Sequence, residues 1–267
     1  MGCEGERGRG DLLDSVQFIG RGLARTLVER CHYSRVMPRI TKLCIGGFAQ
    51  GGRLVAVMTL GYGTRPLHTL RLLFPSLTVP EYLEIGKLCV DDGMPPNTES
   101  YFIARCIGLL RKHYPQVKVL FSWADGILGK PGFVYQASNF YYGGYTWSEM
   151  YLDKNGVRVH PRTIQGITAR PGLARGPRDF ETTKALGYTK YYGKQFRYVY
   201  PLCSRREWKR LQAESPFEWR RGEYPKDEDC TWKVQVALGV AEECGPPPFV
   251  RGDYVKQRGK TGQLRLL

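Results

Sequence analysis

Two apolar segments separated by a helical pattern constrain the fold of this chain most strongly. Residues 82–90 alternate well enough for a strand, and residues 117–123 form the nearly continuous apolar run of a buried strand. Between them, residues 97–113 begin with capping side chains and continue with apolar residues at helical spacing. Two strands joined by such a crossover helix run parallel, so the sequence predicts an α/β sheet.

The other segments complete the order of a mixed sheet. Residues 16–31 have helical spacing, and the apolar runs 43–48 and 54–61 flank a Gly-Gly turn typical of a hairpin. A second helix is predicted over 132–140 and another hairpin over 141–160. This order, a mixed sheet flanked by helices, resembles the Gcn5-related N-acetyltransferase-like fold. In that fold two central parallel strands splay apart and admit an acyl-thioester cofactor.

The charge predicts a polyanionic partner. The chain has 40 Lys+Arg against 25 Asp+Glu, a net charge of +15, and 42% hydrophobic residues. It is too apolar for a disordered basic tail, so the charge is expected on a folded surface. Residues 151–267 hold 23 of the basic and 13 of the acidic residues, so most of the excess lies there. Six candidate phosphate contacts are Arg170, Arg175, Arg178, Lys190, Lys194 and Arg197.

Composition along the chain predicts three regions. These are a flexible N-terminus over 1–15, a catalytic domain over 16–202, and a basic C-terminal extension and tail over 203–267. Beyond Asp227 the composition is typical of a dispensable tail, because Pro-rich and charged stretches bury little apolar surface. The alternation of Trp232, Val234, Val236 and Leu238 leaves open that this part docks as an extra strand.

Several classes of protein are disfavoured by what the sequence does not contain. No segment reaches the roughly 18 apolar residues of a membrane span, and the first ten residues are charged where a signal peptide is apolar. A cytoplasmic protein without a membrane partner is therefore expected. The eight cysteines occur singly beside only four histidines, so no disulfide framework or zinc module is predicted.

Six short motifs follow one another in a fixed order along residues 18–226. They are His32-Tyr33-Ser34-Arg35, Asn97-Thr98-Glu99-Ser100, Ser122-Trp123-Ala124-Asp125, the segment 135–144, Lys194-x-x-Arg197-Tyr198 and Glu223-Tyr224-Pro225-Lys226. Taken in this order, the motifs resemble those of the phage Mom family of DNA-modification proteins. The resemblance implies a transferase that places a carbamoylmethyl group on adenine N6 in double-stranded phage DNA. The purpose would be escape from restriction in the host cytoplasm.

The donor of that group stays open. The resemblance to acyltransferases implies acyl-CoA or a related acyl donor, with Asn97 and Ser100 at the helix N-terminus as cofactor-binding residues. The usual Gly-rich pyrophosphate loop is replaced by a segment in which Asp91, Asp92 and Glu99 would repel phosphate. Transfer from acetyl-CoA would also leave an acetyl group instead of a carbamoylmethyl group.

Four residues are predicted to be catalytic. His32 is a candidate base because it titrates nearest neutrality, and the alternative is a histidine that complements a helix dipole. Tyr33 and Ser34 could donate hydrogen bonds to a donor carbonyl or stack on the base, and the alternative is local capping. Asp125, at the end of a central strand, could accept the N6 proton or orient His32, and the alternative is an Asx-turn.

A second set is predicted to bind the substrate. Tyr135 and Asn139 are four residues apart on the predicted helix, where Asn could pair with adenine and Tyr stack on an extruded base. The alternative is a core aromatic and a capping amide. Arg35, Lys194 and Arg197 complete this set. No metal is predicted from the spacing of ligands, although iron stays open because His32 lies beside Cys31.

Two other functions remain compatible with the sequence. One is an ordinary acetyl-CoA-dependent N-acetyltransferase acting on a protein or small amine. The other is a non-enzymatic DNA-binding antirestriction protein. The first would turn over acetyl-CoA without DNA, and the second would leave the nucleoside composition of DNA unchanged.

Overall fold

The computed structural model describes residues 12–172 and 175–250. These fall into two compact units. Unit 1 comprises the described residues up to 122 together with 134–141 and 199–218, and unit 2 comprises 123–133, 142–198 and the described residues from 219 onward. Most of the predicted flexible N-terminus, residues 1–11, and the tail from 251 to 267 lie outside the described residues.

Ten strands are formed by the described residues. They are β1 (Ser15–Phe18), β2 (Thr41–Ala49), β3 (Arg53–Gly61), β4 (Tyr82–Val90), β5 (Val119–Ala124), β6 (Tyr141–Leu152), β7 (Arg158–Val159), β8 (Thr189–Pro201), β9 (Trp232–Ala237) and β10 (Val240–Cys244). The described residues also form seven α-helices. They are α1 (Arg21–Cys31), α2 (Pro66–Leu73), α3 (Thr98–His113), α4 (Phe133–Ala137), α5 (Pro161–Ile167), α6 (Phe180–Ala185) and α7 (Arg205–Glu214).

The sheet of unit 1 is mixed, as predicted. Its order is β1-β2-β3-β4-β5, and all neighbours are antiparallel except β4 and β5. The turn between β2 and β3 contains Gly51 and Gly52, both at positive φ, which explains why two glycines occur there. The parallel pair spans only three residue pairs and ends at Glu84 and Phe121, whereas β4 continues to Val90. The two central strands therefore diverge, as the acyltransferase-like order predicts.

Helices cover both faces of this sheet. Ala24, Leu27 and Val28 of α1 form a buried cluster with residues that include Val57 and Cys89 of the sheet. A Cβ at Gly47 would lie 3.1 Å from Phe102 of α3, on the opposite face. The predicted class, an α/β fold with a mixed sheet flanked by helices, is confirmed.

The first predicted helix begins later than expected. Residues 15–18 form the edge strand β1, which pairs antiparallel with β2, and α1 starts only at Arg21 after an extended Gly20. Phe18 packs edge-on against His113 and Tyr114 at the end of α3, each at 5.6 Å. Its burial therefore comes from strand pairing, so the assignment of a helix over 16–20 is wrong.

Unit 2 contains a second set of paired strands. Its β8 neighbours β6, and β6 pairs with β7 across a turn in which Asp153 Oδ1 accepts from the backbone N–H groups of Asn155 and Val157. The hairpin predicted over 141–160 is confirmed. On its other side, β8 pairs with β9, which pairs with β10.

Residues beyond Asp227 include the docked strand that the alternation indicated. Val234 pairs with Tyr191 of β8, and the Trp232 indole N–H donates to the carbonyl of Ile127 at 2.9 Å. The backbone and one large side chain of β9 are thus tied to unit 2.

Truncation after Lys226 should therefore destabilise the protein. We expect the melting temperature to fall by about 5 °C or more, because a docked tryptophan and a strand pairing are lost. Truncation after Val250, which keeps every described residue up to that point, is the matched reference from which the fall is measured. Circular dichroism melts of both truncated chains would test this. Equal melting temperatures would show that β9 contributes nothing to stability.

No helix among the described residues is both long and apolar enough to cross a membrane. The seven cysteines within the described residues carry no disulfide. Burial raises the pKa of the Cys89 thiol to about 12, with a contribution from neighbouring Cys31, and burial likewise raises that of Cys230 to about 12. These two thiols are protonated at neutral pH.

Candidate active site

A bulge in β4 turns two ionisable side chains to the same face of the sheet in unit 1. Thr59 of β3 pairs with Lys87, but Gly61, two residues on, pairs with Glu84. Thr59 and Gly61 are two positions apart on β3 and therefore face the same side of the sheet. Their partners on β4, Lys87 and Glu84, also face that side, although they are three positions apart. The extra residue is accommodated at the register shift next to Leu60. Cys89 also faces this side, within the cluster that packs on α1.

Three predicted residues meet Lys87 just after α1. The Lys87 ammonium donates to Ser34 Oγ at 2.6 Å and lies 5.8 Å from the ring centroid of Tyr33. Ser34 Oγ lies 3.1 Å from His32 Nδ1, and the rings of His32 and Tyr33 are 4.2 Å apart. We call His32, Tyr33, Ser34 and Lys87 the lysine–histidine cluster. His32 is buried within it, whereas Tyr33 is 38% exposed.

The local backbone fixes the tautomer of His32. The backbone N–H of Ser34 donates to Nδ1 at 3.1 Å, so Nδ1 is an acceptor and the neutral ring carries its proton on Nε2. The turn is stabilised by a second hydrogen bond, from the N–H of Arg35 to the His32 carbonyl at 2.8 Å. In this arrangement His32 can donate a hydrogen bond through Nε2, which differs from the predicted role as a base.

Glu84 lies where β4 and β5 separate. Its Oε2 accepts from the Tyr82 hydroxyl at 2.7 Å, and a Cβ at Gly63 would collide with the carboxylate. Burial raises the pKa of the Glu84 carboxyl above its usual range, against the opposing effect of the hydrogen bond from Tyr82. Burial and the nearby Glu84 charge also raise the pKa of Tyr82.

Replacing Glu84 by Gln should make stability less dependent on pH. Below about pH 4.3 the carboxyl is protonated in both folded and unfolded chains. As pH rises, the unfolded chain ionises first because the folded pKa is higher, so the wild type loses stability relative to Glu84→Gln. The difference should grow until the folded carboxyl ionises and then stay constant. Urea unfolding of both proteins across this pH range measures it, and a difference independent of pH would contradict the raised pKa.

A cavity runs along α3 in unit 1. It has a volume of about 560 Å³ and brings together the predicted residues Asn97, Ser100 and Asn139. Arg111, thirteen residues after Thr98 on the same helix, lines it as well, with its guanidinium 5.6 Å from the Tyr200 ring. The cavity therefore combines an amide, a hydroxyl and a cation along about 20 Å of helix.

The acidic residues at the start of α3 oppose phosphate less than their number indicates. Asp91 accepts from Arg30 at 3.0 Å and from Arg53 at 3.1 Å, and its other oxygen accepts from the N–H of Gly93. Burial, with the nearby Asp92, raises the pKa of Glu99. Of the three acidic side chains, Asp91 is thus already paired with two arginines.

The other predicted residues of unit 1 have separate environments. Asn139 has φ 59° and follows the end of α4, so it does not share a helix face with Tyr135, and that expectation is wrong. Tyr135 is buried and packs 5.2 Å from Phe140. Arg35 is exposed at positive φ, three residues after His32.

Unit 2 holds Asp125, Lys194 and Arg197. Asp125 Oδ1 accepts from the Gln195 side-chain amide at 3.2 Å. Arg197 is only 8% exposed and donates to the Gly143 carbonyl at 2.9 Å, and burial lowers its pKa. Lys194 lies 4.7 Å from the centroid of the Tyr145 ring. Arg197 is thus part of the packed interior of unit 2, whereas Lys194 lies beside an exposed aromatic.

Sequence reasoning missed Lys87, Glu84 and Thr59. Thr59 Oγ1 is buried and has no hydrogen-bond partner among the described residues. Thr59 is the residue of β3 that lies opposite Lys87 of β4. A polar residue in an alternating strand pattern predicts a side chain that faces solvent. The bulge that redirects these side chains is indicated in the sequence only by Gly86. No group of three or more potential metal ligands occurs within the described part of the chain.

The described residues thus form a mixed sheet whose central parallel strands diverge, with a lysine, a histidine and a hydroxyl gathered beside one of its faces. The chain belongs to the Mom protein family, whose model matches residues 15–226. It is 33% identical over 199 residues to the methylcarbamoylase Mom of Escherichia phage Mu, covering 74% of this chain and 79% of the relative.

Solved acetyltransferases are also similar to the chain. A GNAT family N-acetyltransferase of Escherichia coli in complex with CoA has a TM-score of 0.41 and 9% identity, over 87% of this chain and 98% of its own. An aminoglycoside 6'-acetyltransferase has a TM-score of 0.38 and 8% identity, over 72% of this chain and 99% of its own.

Proposed function

We propose that this protein transfers a carbamoylmethyl group to the exocyclic N6 of adenine in double-stranded DNA. The observation that carries the proposal is the 33% identity to a phage Mu protein named methylcarbamoylase, over most of both chains. The lysine–histidine cluster supports it from the structure, because it gathers hydrogen-bond donors on the face where β4 bulges.

The chemistry requires help at N6. The N6 lone pair is delocalised into the ring, so the enzyme must position the amine, exclude water and accept one proton as the new N–C bond forms. The leaving group departs from the donor with the bonding electron pair. We assign proton acceptance to Asp125, because a carboxylate offers acceptor oxygens, whereas Nδ1 of His32 already accepts from Ser34.

The lysine–histidine cluster would stabilise negative charge on the donor. The Lys87 ammonium, the His32 Nε2–H and the Tyr33 hydroxyl are hydrogen-bond donors, and such preorganised donors are worth most when charge develops in the transition state. Ser34 links Lys87 to His32 and orients both. Thr59, whose hydroxyl has no partner within the described residues, could bond to a donor group there.

The phosphate-bearing end of the donor would lie along α3, and its reactive end would have to reach the lysine–histidine cluster, on the opposite face of the sheet, through the gap where β4 and β5 diverge. Asn97, Ser100 and Asn139 would hold its polar groups, and Arg111 a phosphate, within the cavity beside that helix. An acyl-CoA or related acyl donor would supply the activated group, but direct acyl transfer would leave an amide on N6. The carbamoylmethyl product therefore requires attack on a methylene carbon of the donor, with the leaving group departing from that carbon. The residues present fit such a donor in their charge, since Asp91 is paired with two arginines.

The modified DNA would be that of the phage. Adenine carrying a bulky N6 substituent would no longer present its exocyclic amine to host restriction enzymes in the major groove. The excess of basic residues beyond position 150 supports DNA as the substrate. The protein would then act inside the host cell, where that DNA lies.

Mass spectrometry of nucleosides tests the proposal. DNA from cells that express the wild-type chain should contain a new deoxyadenosine species heavier by one carbamoylmethyl group, absent from cells that express Asp125→Asn. An N6-acetyl species would indicate an ordinary acetyl transfer. Unchanged nucleosides together with retained DNA binding would indicate a non-enzymatic antirestriction protein. Either result would overturn the proposed function.

A further inference from the structure

An exposed part of the sheet in unit 2 pairs aromatic rings with lysines. Tyr145 and Trp147 of β6 are 43% and 40% exposed, and their rings meet edge-on at 6.1 Å. The ammonium of Lys194 lies 4.7 Å from the Tyr145 ring, and that of Lys233 lies 5.0 Å from the Trp147 ring. We call these four residues the aromatic–lysine face. It is formed by three strands, β6, β8 and β9, so it is held by backbone pairing and not by a loop.

The charged side chains of this face are both cations. Next to it, Lys190 and Arg178 both pair with Glu149, so this carboxylate is engaged by two cations. Glu243 of β10 is opposite Lys233 in the register, and Asp227 and Asp229 lie within electrostatic reach of Cys230 together with Lys194. Lys194 and Lys233 are the charged groups beside the two exposed rings, and a negatively charged partner matches them.

We propose that the aromatic–lysine face binds an unpaired stretch of a DNA strand, with bases stacked on Trp147 and Tyr145 and phosphates next to Lys194 and Lys233. Exposed aromatic side chains interleaved with lysines on a sheet are suited to this ligand, because every base has a stackable face and every nucleotide a phosphate. The inference rests on the proposed function in one respect, namely that DNA is the substrate.

The ligand is an unpaired strand because a duplex hides the faces of its bases. In a paired helix only base edges and the terminal base faces are accessible, so two large exposed rings have nothing to stack on along its length. Chemistry on one adenine requires that base to leave the stack, which unpairs it and loosens its neighbours. A surface that captures loosened nucleotides would stabilise the open state of the substrate.

Fluorescence anisotropy with labelled oligonucleotides tests this inference. Trp147→Leu should weaken binding of a single strand of about 20 nucleotides by about tenfold or more, and Tyr145→Leu should act in the same direction. Binding of the perfect duplex should change much less. Lys194→Gln and Lys233→Gln should each weaken binding of the single strand and reduce its salt dependence.

Phe180 and Lys184 supply the matched control. They form the same kind of pair at 5.3 Å on α6 of unit 2, which is not one of the three strands that form the face. Phe180→Leu and Lys184→Gln should leave single-strand affinity unchanged. Equal single-strand affinity for Trp147→Leu, Phe180→Leu and the wild type would overturn the inference, provided that all three melt at similar temperatures. An equal loss of single-strand and duplex affinity in Trp147→Leu would overturn it as well.

The nucleoside assay separates this inference from the proposed function. Suppose that DNA from cells expressing the wild-type protein carries the new adenine, but Trp147→Leu binds single strands normally. The binding role of the aromatic–lysine face is then wrong, and the proposed enzyme function is retained. If the wild-type protein modifies no adenine while Trp147→Leu selectively loses single-strand affinity, the proposed enzyme function is wrong. The proposed binding of unpaired DNA by the aromatic–lysine face is then retained.

Discussion

The affinity of this protein for duplex DNA should fall about 10³-fold as salt rises from about 50 to 200 mM, if six phosphate contacts form. Each neutralised phosphate releases condensed counterions, and added salt opposes that release. Of the six cations inferred from sequence, Lys190 and Arg178 share Glu149, and Arg197 is the least available because it is buried and already bound to the Gly143 carbonyl. Lys233, beside exposed Trp147, takes its place.

Salt titrations on single variants make this prediction specific. Lys194→Gln should reduce the slope of log affinity against log salt by about one. Lys209→Gln, at an exposed position on α7 of unit 1, is the matched control and should not change it. Binding that does not respond to salt, or equal binding to a neutral polymer, would show that the charge serves only solubility.

The sequence predicted the fold of unit 1 well where the pattern is local. The alternation of residues 82–90 and the helical spacing before His113 match β4 and α3 closely, because a face buried against one layer selects apolar residues at the period of the element. The crossover helix between the two strands predicted that β5 runs parallel to β4, and the structure has this pairing. The pattern failed at residues 15–18, where four residues are too few to distinguish a strand from a helical turn.

The candidate site was predictable only where it is contiguous. His32, Tyr33 and Ser34 are neighbours in sequence, and the turn that gathers them is closed by their own backbone. Lys87 comes from another strand, and a bulge decides which face it occupies. Asn139 was assigned to a helix that ends two residues earlier, so its place beside Asn97 and Ser100 follows from tertiary packing. A one-residue shift in register changes the face of a side chain, and sequence periodicity does not report it.

Loss of catalysis should be largest when the proton acceptor or the lysine–histidine cluster is changed. Asp125→Asn, His32→Asn and Lys87→Gln should each lower the yield of modified adenine by about 10² or more, while DNA binding stays nearly unchanged. These replacements keep local structure. An amide oxygen at 125 still accepts from Gln195, and one at 32 can still accept from the N–H of Ser34, as in an Asx-turn. His32→Ala removes that acceptor and would mix folding with chemistry.

A cysteine supplies the control for this experiment. Cys31 precedes His32 and packs against the cluster that contains Cys89, so Cys31→Ser perturbs the same neighbourhood without removing a proposed hydrogen-bond donor. The modified fraction of adenine, measured at matched expression, should then stay near the wild-type value. Complete loss in folded Cys31→Ser would point to a thioester relay through that thiol. Normal modification in both His32→Asn and Asp125→Asn would contradict the proposed proton transfer to Asp125 and the proposed contribution of His32 to charge stabilisation, which Lys87→Gln tests separately.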